Sequence, residues 1–163
     1  MHLNEFIICP GCGLRLLNKQ LFPNDRYNAS GECFELYGQL SGYTLSQNDS
    51  TFIHQLTGDA YGAQHSGGVT KNITTIFALI GLCLVMEHNY TGRQVQKVHM
   101  RIAKQSWPRL DPPKHNASIT VLDVLEAKDD IQRANLIKSW VTAVWDSLSQ
   151  HHEWVRQKTK EYI

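Results

Sequence analysis

Charge of one sign is what this sequence most plainly lacks: 16 Lys and Arg stand against 15 Asp and Glu, a formal net charge of +1 over 163 residues. Such a balance makes no field that gathers nucleic acid or an anionic membrane, and neither is expected as a partner. A secretory leader is not expected either, because MHLNEFIICPGC has no basic segment ahead of its short apolar run, Phe6, Ile7 and Ile8. An intracellular, cytoplasmic protein is expected. The longest apolar stretch, Ile76 to Met86, falls well short of the ~20 residues that span a bilayer and reads as a buried helix. No Gly-rich phosphate loop, G-x-S-x-G elbow or H-E-x-x-H pair is present, so the usual enzyme signatures are missing. The four tryptophans come without a basic stripe, and Trp140 and Trp145 are assigned to core packing rather than base stacking.

Cysteine is sparse, with four in the chain: Cys9, Cys12, Cys33 and Cys83. In a reducing compartment such a set binds metal or does redox chemistry more often than it forms disulfides. Without a leader, the Asn-x-Ser/Thr triplets at Asn28, Asn48, Asn72, Asn89 and Asn116 are not expected to carry sugar. The length suits one domain over 1–163, with residues 1–28 forming a Cys-Pro-Gly-Cys knuckle and loop and 29–163 a helical body.

Periodicity predicts an all-α protein, a bundle of about five or six helices following that irregular zinc-knuckle segment. Ser30 can cap a first helix to about Gln47, with Phe34, Tyr37, Leu40 and Tyr43 spaced by three. Asn48, Asp49 and Ser50 offer caps for a second, from Phe52 to His65, in which Phe52, Ile53, Leu56, Ala60 and Ala63 share an arc of about 100°. His54, Gly58, Tyr61 and His65 form a separate ridge on it. Asn72 can cap the apolar third helix, and Thr91 with Gln94 makes a capping box for a fourth that turns Val95, Val98 and Ile102 inward and ends at WPRLDPPK. Thr120 and Asp123 open a short helix over 121–127. A last helix from Asp129 or Asp130 runs nearly to the end, its stripe of Ala134, Ile137, Val141, Val144, Trp145, Leu148 and Val155 including His152.

The most specific short motif is CPGCG, residues 9 to 13. Pro10 fixes one φ and Gly13 permits a positive one, so backbone N–H groups can point at the Cys9 and Cys12 thiolates, which is half of a tetrahedral zinc site. No second Cys-x-x-Cys follows, so the other ligands must come singly. Cys33, in the first turn of a helix whose dipole favours a thiolate, is the expected third. His65, at a helix end beside Ser66-Gly67-Gly68, is the expected fourth, with His152 as runner-up. His54 cannot share an ion with His65, since eleven helical residues separate them by roughly 16 Å. Asp59, Tyr61 and Gln64 can line a polar pocket with His54, and His152 is a further pocket candidate. The bland readings are an inert turn at CPGCG, a small buried hydrophobe at Cys33, a helix-capping His65 and a satisfied core His152; Cys83 reads as core.

The order CPGCG, YNASGECFELYGQL, HQLTGDAYGAQH, ALIGLCLVME, WPRLDPP, TVLDVLEA and W-x-x-x-V-W-x-x-L-x-x-HH-x-x-VR resembles a family of small uncharacterised bacterial proteins, a domain of unknown function. The resemblance implies that Cys9, Cys12, Cys33, Asp59, Tyr61, Gln64, His65 and His152 belong to its pattern and that Cys83 does not. It favours one polar, metal-linked constellation. The functional expectation is a zinc-stabilised helical structural or interaction module. The alternatives are a metal-dependent hydrolase or transferase with Asp59, Tyr61 or His152 moving protons, and a thiol redox sensor using Cys9 and Cys12.

Overall fold

The computed structural model describes residues 5–111 and 117–163. The start of the chain, the Pro112 and Pro113 stop and the Asn116 triplet lie outside the described residues. The first segment is less irregular than expected: strands β1 (Phe6–Ile8) and β2 (Arg15–Leu17) pair antiparallel with Ile7 opposite Leu16. Three-residue strands are too short for alternation to register in a sequence. The CPGCG turn closes this hairpin, with Cys9 N–H donating to the Leu14 carbonyl at 2.8 Å and Gly13 N–H to the Cys9 carbonyl at 2.9 Å. Gly13 has φ 80°, the positive value its place in the motif predicts.

Seven α-helices follow among the described residues. Ser30 caps α1 (Gly31–Ser46) by accepting Cys33 N–H at 3.1 Å. Of the three caps offered for α2 (Ile53–Gln64), Asp49 does the work, its carboxylate accepting Ile53 N–H at 2.9 Å. Asn72 does not cap α3 (Asn72–His88); it is the first helical residue, and its side chain donates to the Trp107 carbonyl. The Thr91–Gln94 box opens α4 (Gly92–Ile102), which buries Val95, Val98 and Ile102 as predicted, together with His99. Asp123 accepts Thr120 N–H at 2.8 Å to start α5 (Val121–Leu125).

The last predicted helix is two. After α6 (Asp130–Ser147) the chain makes a 3-10 turn at Ser149–His151 and resumes as α7 (His152–Lys160). The Trp145 carbonyl accepts Leu148 N–H at 3.0 Å and the His152 ring at 2.7 Å, and the two rings stack 3.8 Å apart. No Gly or Pro marks the break, and Leu148 and Val155 are both buried across it, so the apolar stripe passes through unbroken.

α3 is the centre of the bundle, packed by α2, α4, α6 and α7, while α5 joins α1 to α6. Its residues Ile76, Leu79, Ile80, Leu82, Cys83 and Leu84 are almost wholly buried, so Cys83 is core. Trp140 is fully buried and donates its indole N–H to Gln64, tying α6 to α2. No helix among the described residues is long and apolar enough to cross a membrane.

Candidate metal centre

Three elements converge on one point. The hairpin turn brings Cys9 and Cys12, the first turn of α1 brings Cys33 and the C-cap of α2 brings His65, with all four ligand atoms within 4.8 Å of one another. Cys9, Cys33 and His65 are buried and Cys12 is half-buried. A tetrahedral zinc ion with Zn–S near 2.3 Å and Zn–N near 2.05 Å sets its ligands about 3.8 Å apart for S···S and about 3.6 Å for S···N. Here Cys12 Sγ lies 3.8 Å from Cys33 Sγ, and Cys33 Sγ lies 3.4 Å from His65 Nε2. The donor set and its spacing fit a four-coordinate ion.

The ring of His65 is held in one orientation. Its Nδ1 is 2.8 Å from the Tyr61 carbonyl, which can only accept, so Nδ1 carries the proton and Nε2 keeps a lone pair facing the sulfurs. Tyr61 stacks on the imidazole at 3.8 Å and donates its hydroxyl to Cys33 Sγ at 3.4 Å. Asn28 N–H donates to the His65 carbonyl at 2.8 Å, fastening the loop before α1 to the end of α2. Gly11 lies against the same ring: a Cβ there would collide with the Asn28 carbonyl oxygen and sit 2.5 Å from His65 Cδ2. In the sequence Gly11 reads only as the middle of a turn.

Three clustered thiols cannot all ionise unaided. Hydrogen bonds from Cys12 and Cys33 draw Cys9 far below the usual thiol range against the effect of burial. Hydrogen bonding to Cys12 and Cys9 drives Cys33 far above it. Cys12 is lowered by its hydrogen bond with Cys33 but raised more by Cys9 and burial, and stands at about 12. Packed this closely, the thiols oppose one another's ionisation, and a divalent cation would offset that.

The other predicted residues scatter. Tyr61 belongs to the metal centre, and Gln64 is buried in structural hydrogen bonds to Trp140 and, through its amide N–H, to the Ile119 carbonyl. His152 stays at the α6–α7 break and is not in the thiol cluster. Only His54 and Asp59 of the predicted pocket share a cleft, one of about 410 Å³ formed by the loop before α1 and helices α1 to α4, and none of the four clustered residues lines it. His54 Nδ1 is hydrogen-bonded to Thr44 Oγ1 at 2.9 Å. Asp59 is 5% exposed; its Oδ1 accepts from Gln55 at 3.1 Å, its Oδ2 has no hydrogen-bond partner among the described residues, and burial raises its carboxyl well above the usual range. Gln55 Nε2 also lies 3.4 Å from His99 Nδ1, and His99 Nε2–H donates to the Phe77 carbonyl at 2.7 Å. Gln55 and His99 are missed by the sequence reading, although His99 falls four residues after Val95 on the inward arc of α4.

The model of a family of unknown function, DUF5946, matches residues 7–149, and the chain belongs to that family. No curated protein and no solved structure matches it.

Proposed function

We propose that Cys9, Cys12, Cys33 and His65 bind one zinc ion in a closed site and that the protein is a zinc-stabilised helical module. The ion's role is to pin the N-terminal 28 residues to the bundle. What carries this reading is the placement of three sulfurs and one imidazole nitrogen, from three separate elements, within 4.8 Å of one another with a fixed histidine tautomer. Four protein ligands fill a tetrahedral sphere, which argues against the metal-dependent hydrolase or transferase, since that needs an open position for water. A redox sensor needs the thiols free, and a bound ion would hold them.

The test is metal content by mass spectrometry on untagged protein dialysed against a weak chelator. One zinc per chain is expected, lost in Cys33→Ser and in His65→Ala, with a lowered Tm in both. Iron in its place, or zinc kept in full by both variants, would refute the assignment.

A further inference from the structure

Residues 88–110 hold Arg93, Lys97, Arg101, Lys104 and Arg109 and not one Asp or Glu. The whole chain is only +1, so the remainder is net negative and the positive charge is segregated here. α4 gathers it on one side. Val95, Val98, His99 and Ile102 are buried, which fixes the helix on the bundle. Lys97, Met100 and Arg101 point the other way, and Lys104, just past the helix, continues the row because Ala103 keeps helical angles (φ −62°, ψ −24°). At i, i+3, i+4 and i+7 the four share an arc of about 100°. All are exposed, Met100 by 74%.

Nothing in the fold neutralises this row. Lys97, Arg101 and Lys104 make no ion pair among the described residues. α4 packs on α2 and α3, and the one carboxylate of each is occupied elsewhere: Asp59 is buried, and Glu87 accepts from Arg156 Nε at 2.7 Å and 2.9 Å. Arg93, one turn earlier, lies 4.6 Å over the Phe52 ring and donates to Gln96, so it closes off one end of the row.

Charge and apolar content together decide the class of partner. A surface helix enters a bilayer by its apolar face, and that of α4 is in the core. Nucleic acid asks for cations against phosphates and aromatic rings against bases; α4 has no Phe, Tyr or Trp, and solvated phosphates would leave Met100 uncovered. We propose that this face docks an acidic helix of a partner protein, its carboxylates on successive turns meeting Lys97, Arg101 and Lys104 and an apolar side chain between them covering Met100. Residues one turn apart on any helix are separated by about 6 Å along its axis, so two helices side by side match in spacing as well as in sign. Exposed ion pairs are individually weak and screened by salt, so the Met100 contact supplies what charge alone does not. None of the four proposed zinc ligands lies on α4, so this inference and the zinc assignment fail separately.

The probe is a synthetic Ala-rich helical peptide of about 20 residues with Glu at i, i+4 and i+7 and Leu at i+3, titrated into the isotope-labelled full chain and followed by backbone amide NMR shifts. It should bind at low salt with a Kd on the order of 10–100 μM, weaken as salt rises, and shift amides of 93–104 and their neighbours. A peptide of the same composition with its Glu spread around the helix should bind roughly tenfold more weakly. Lys97→Gln with Arg101→Gln should weaken the first peptide roughly tenfold and Met100→Ser about threefold, while unperturbed shifts elsewhere show the fold intact. Lys138→Gln, at an exposed cation on α6, should leave it unchanged. No shifts on α4, equal binding of the two peptides, or full affinity in the double variant would each overturn the proposal. So would a single-stranded RNA oligonucleotide, or vesicles containing phosphatidylserine, binding this face more tightly than the peptide.

Discussion

Replacing Gly11 with alanine tests how closely the knuckle is seated on His65, the fourth ligand of the proposed zinc site. The added Cβ would collide with the Asn28 carbonyl oxygen and lie 2.5 Å from His65 Cδ2 and 3.0 Å from His65 Cα. None of these can retreat cheaply. The Asn28 backbone is hydrogen-bonded to the His65 carbonyl at 2.8 Å, and the His65 ring is held by the Tyr61 carbonyl and by stacking at 3.8 Å. The knuckle must therefore lift, carrying Cys9 and Cys12 away from the other two ligands. Overpacking by one methyl group costs about 1–3 kcal/mol, and here the cost falls on the metal-bound arrangement. That corresponds to roughly 5- to 140-fold weaker zinc binding, and to a Tm lower by roughly 2–12 °C at about 2–4 °C per kcal/mol for a chain of this size. Zinc competition against a chromophoric chelator and thermal unfolding of the metal-loaded protein read the two quantities. Gly38→Ala is the control: it is exposed within α1 with nothing within 4 Å of its built Cβ, so it should stabilise by about 0.5–1 kcal/mol. A Gly11→Ala protein that holds zinc as tightly as wild type and melts at the same temperature would refute the seating.

Burial holds His99 at about 4 against an ordinary 6.5, the Phe77 hydrogen bond only partly offsetting it, so the unfolded chain takes up the proton first as pH falls. Its contribution is intact above pH 6.5 and lost toward pH 4, by about 3 kcal/mol; urea unfolding should show a flatter pH dependence in His99→Gln, and parallel curves would contradict this. If zinc is bound as proposed, stripping it would free His65 from the thiols and slacken its bond to Asn28, so trypsin should cut after the nearby exposed Arg26 roughly tenfold faster in chelator. Equal cutting rates with and without chelator would mean that this loop is held by packing alone.

The sequence made the helices legible wherever a local chemical signal coincided with the apolar period. Ser30, Thr91 and Thr120 each mark a helix start because a side chain satisfies an orphan donor within three residues. The α6–α7 break left no trace because its cause is a histidine–tryptophan stack and a shared carbonyl, neither of which alters the stripe. Cys9, Cys12, Cys33 and His65 could be brought together on paper because thiols and imidazoles are few and metal geometry is demanding. The polar pocket fared differently. Asp59, Tyr61 and Gln64 sit within six residues of one helix, yet they face a cleft, a sulfur and a tryptophan respectively. Helical neighbours only five residues apart can point into three unrelated environments when the helix is buried on most sides, and the wheel does not say which neighbour stands opposite.

That burial lets α2 face the cleft and the thiol cluster at once. The ridge of His54, Gly58, Tyr61 and His65 runs along the helix, its first half lining the cleft and its second half serving the thiol cluster. Between them the rings of His65, Tyr61 and Tyr37 stack at 3.8 Å and 4.1 Å, and Tyr37 is itself a wall of the cleft. Beside it stand Arg26 and Tyr27, from the loop that Asn28 fastens to His65, with the Tyr27 ring edge-on to Tyr37 at 6.0 Å. An ion at the cluster would therefore steady this side of the cleft without lining it. The proposed closed zinc site and a cleft that none of its ligands lines then need not be separate features of the molecule: the first would set the shape of the second.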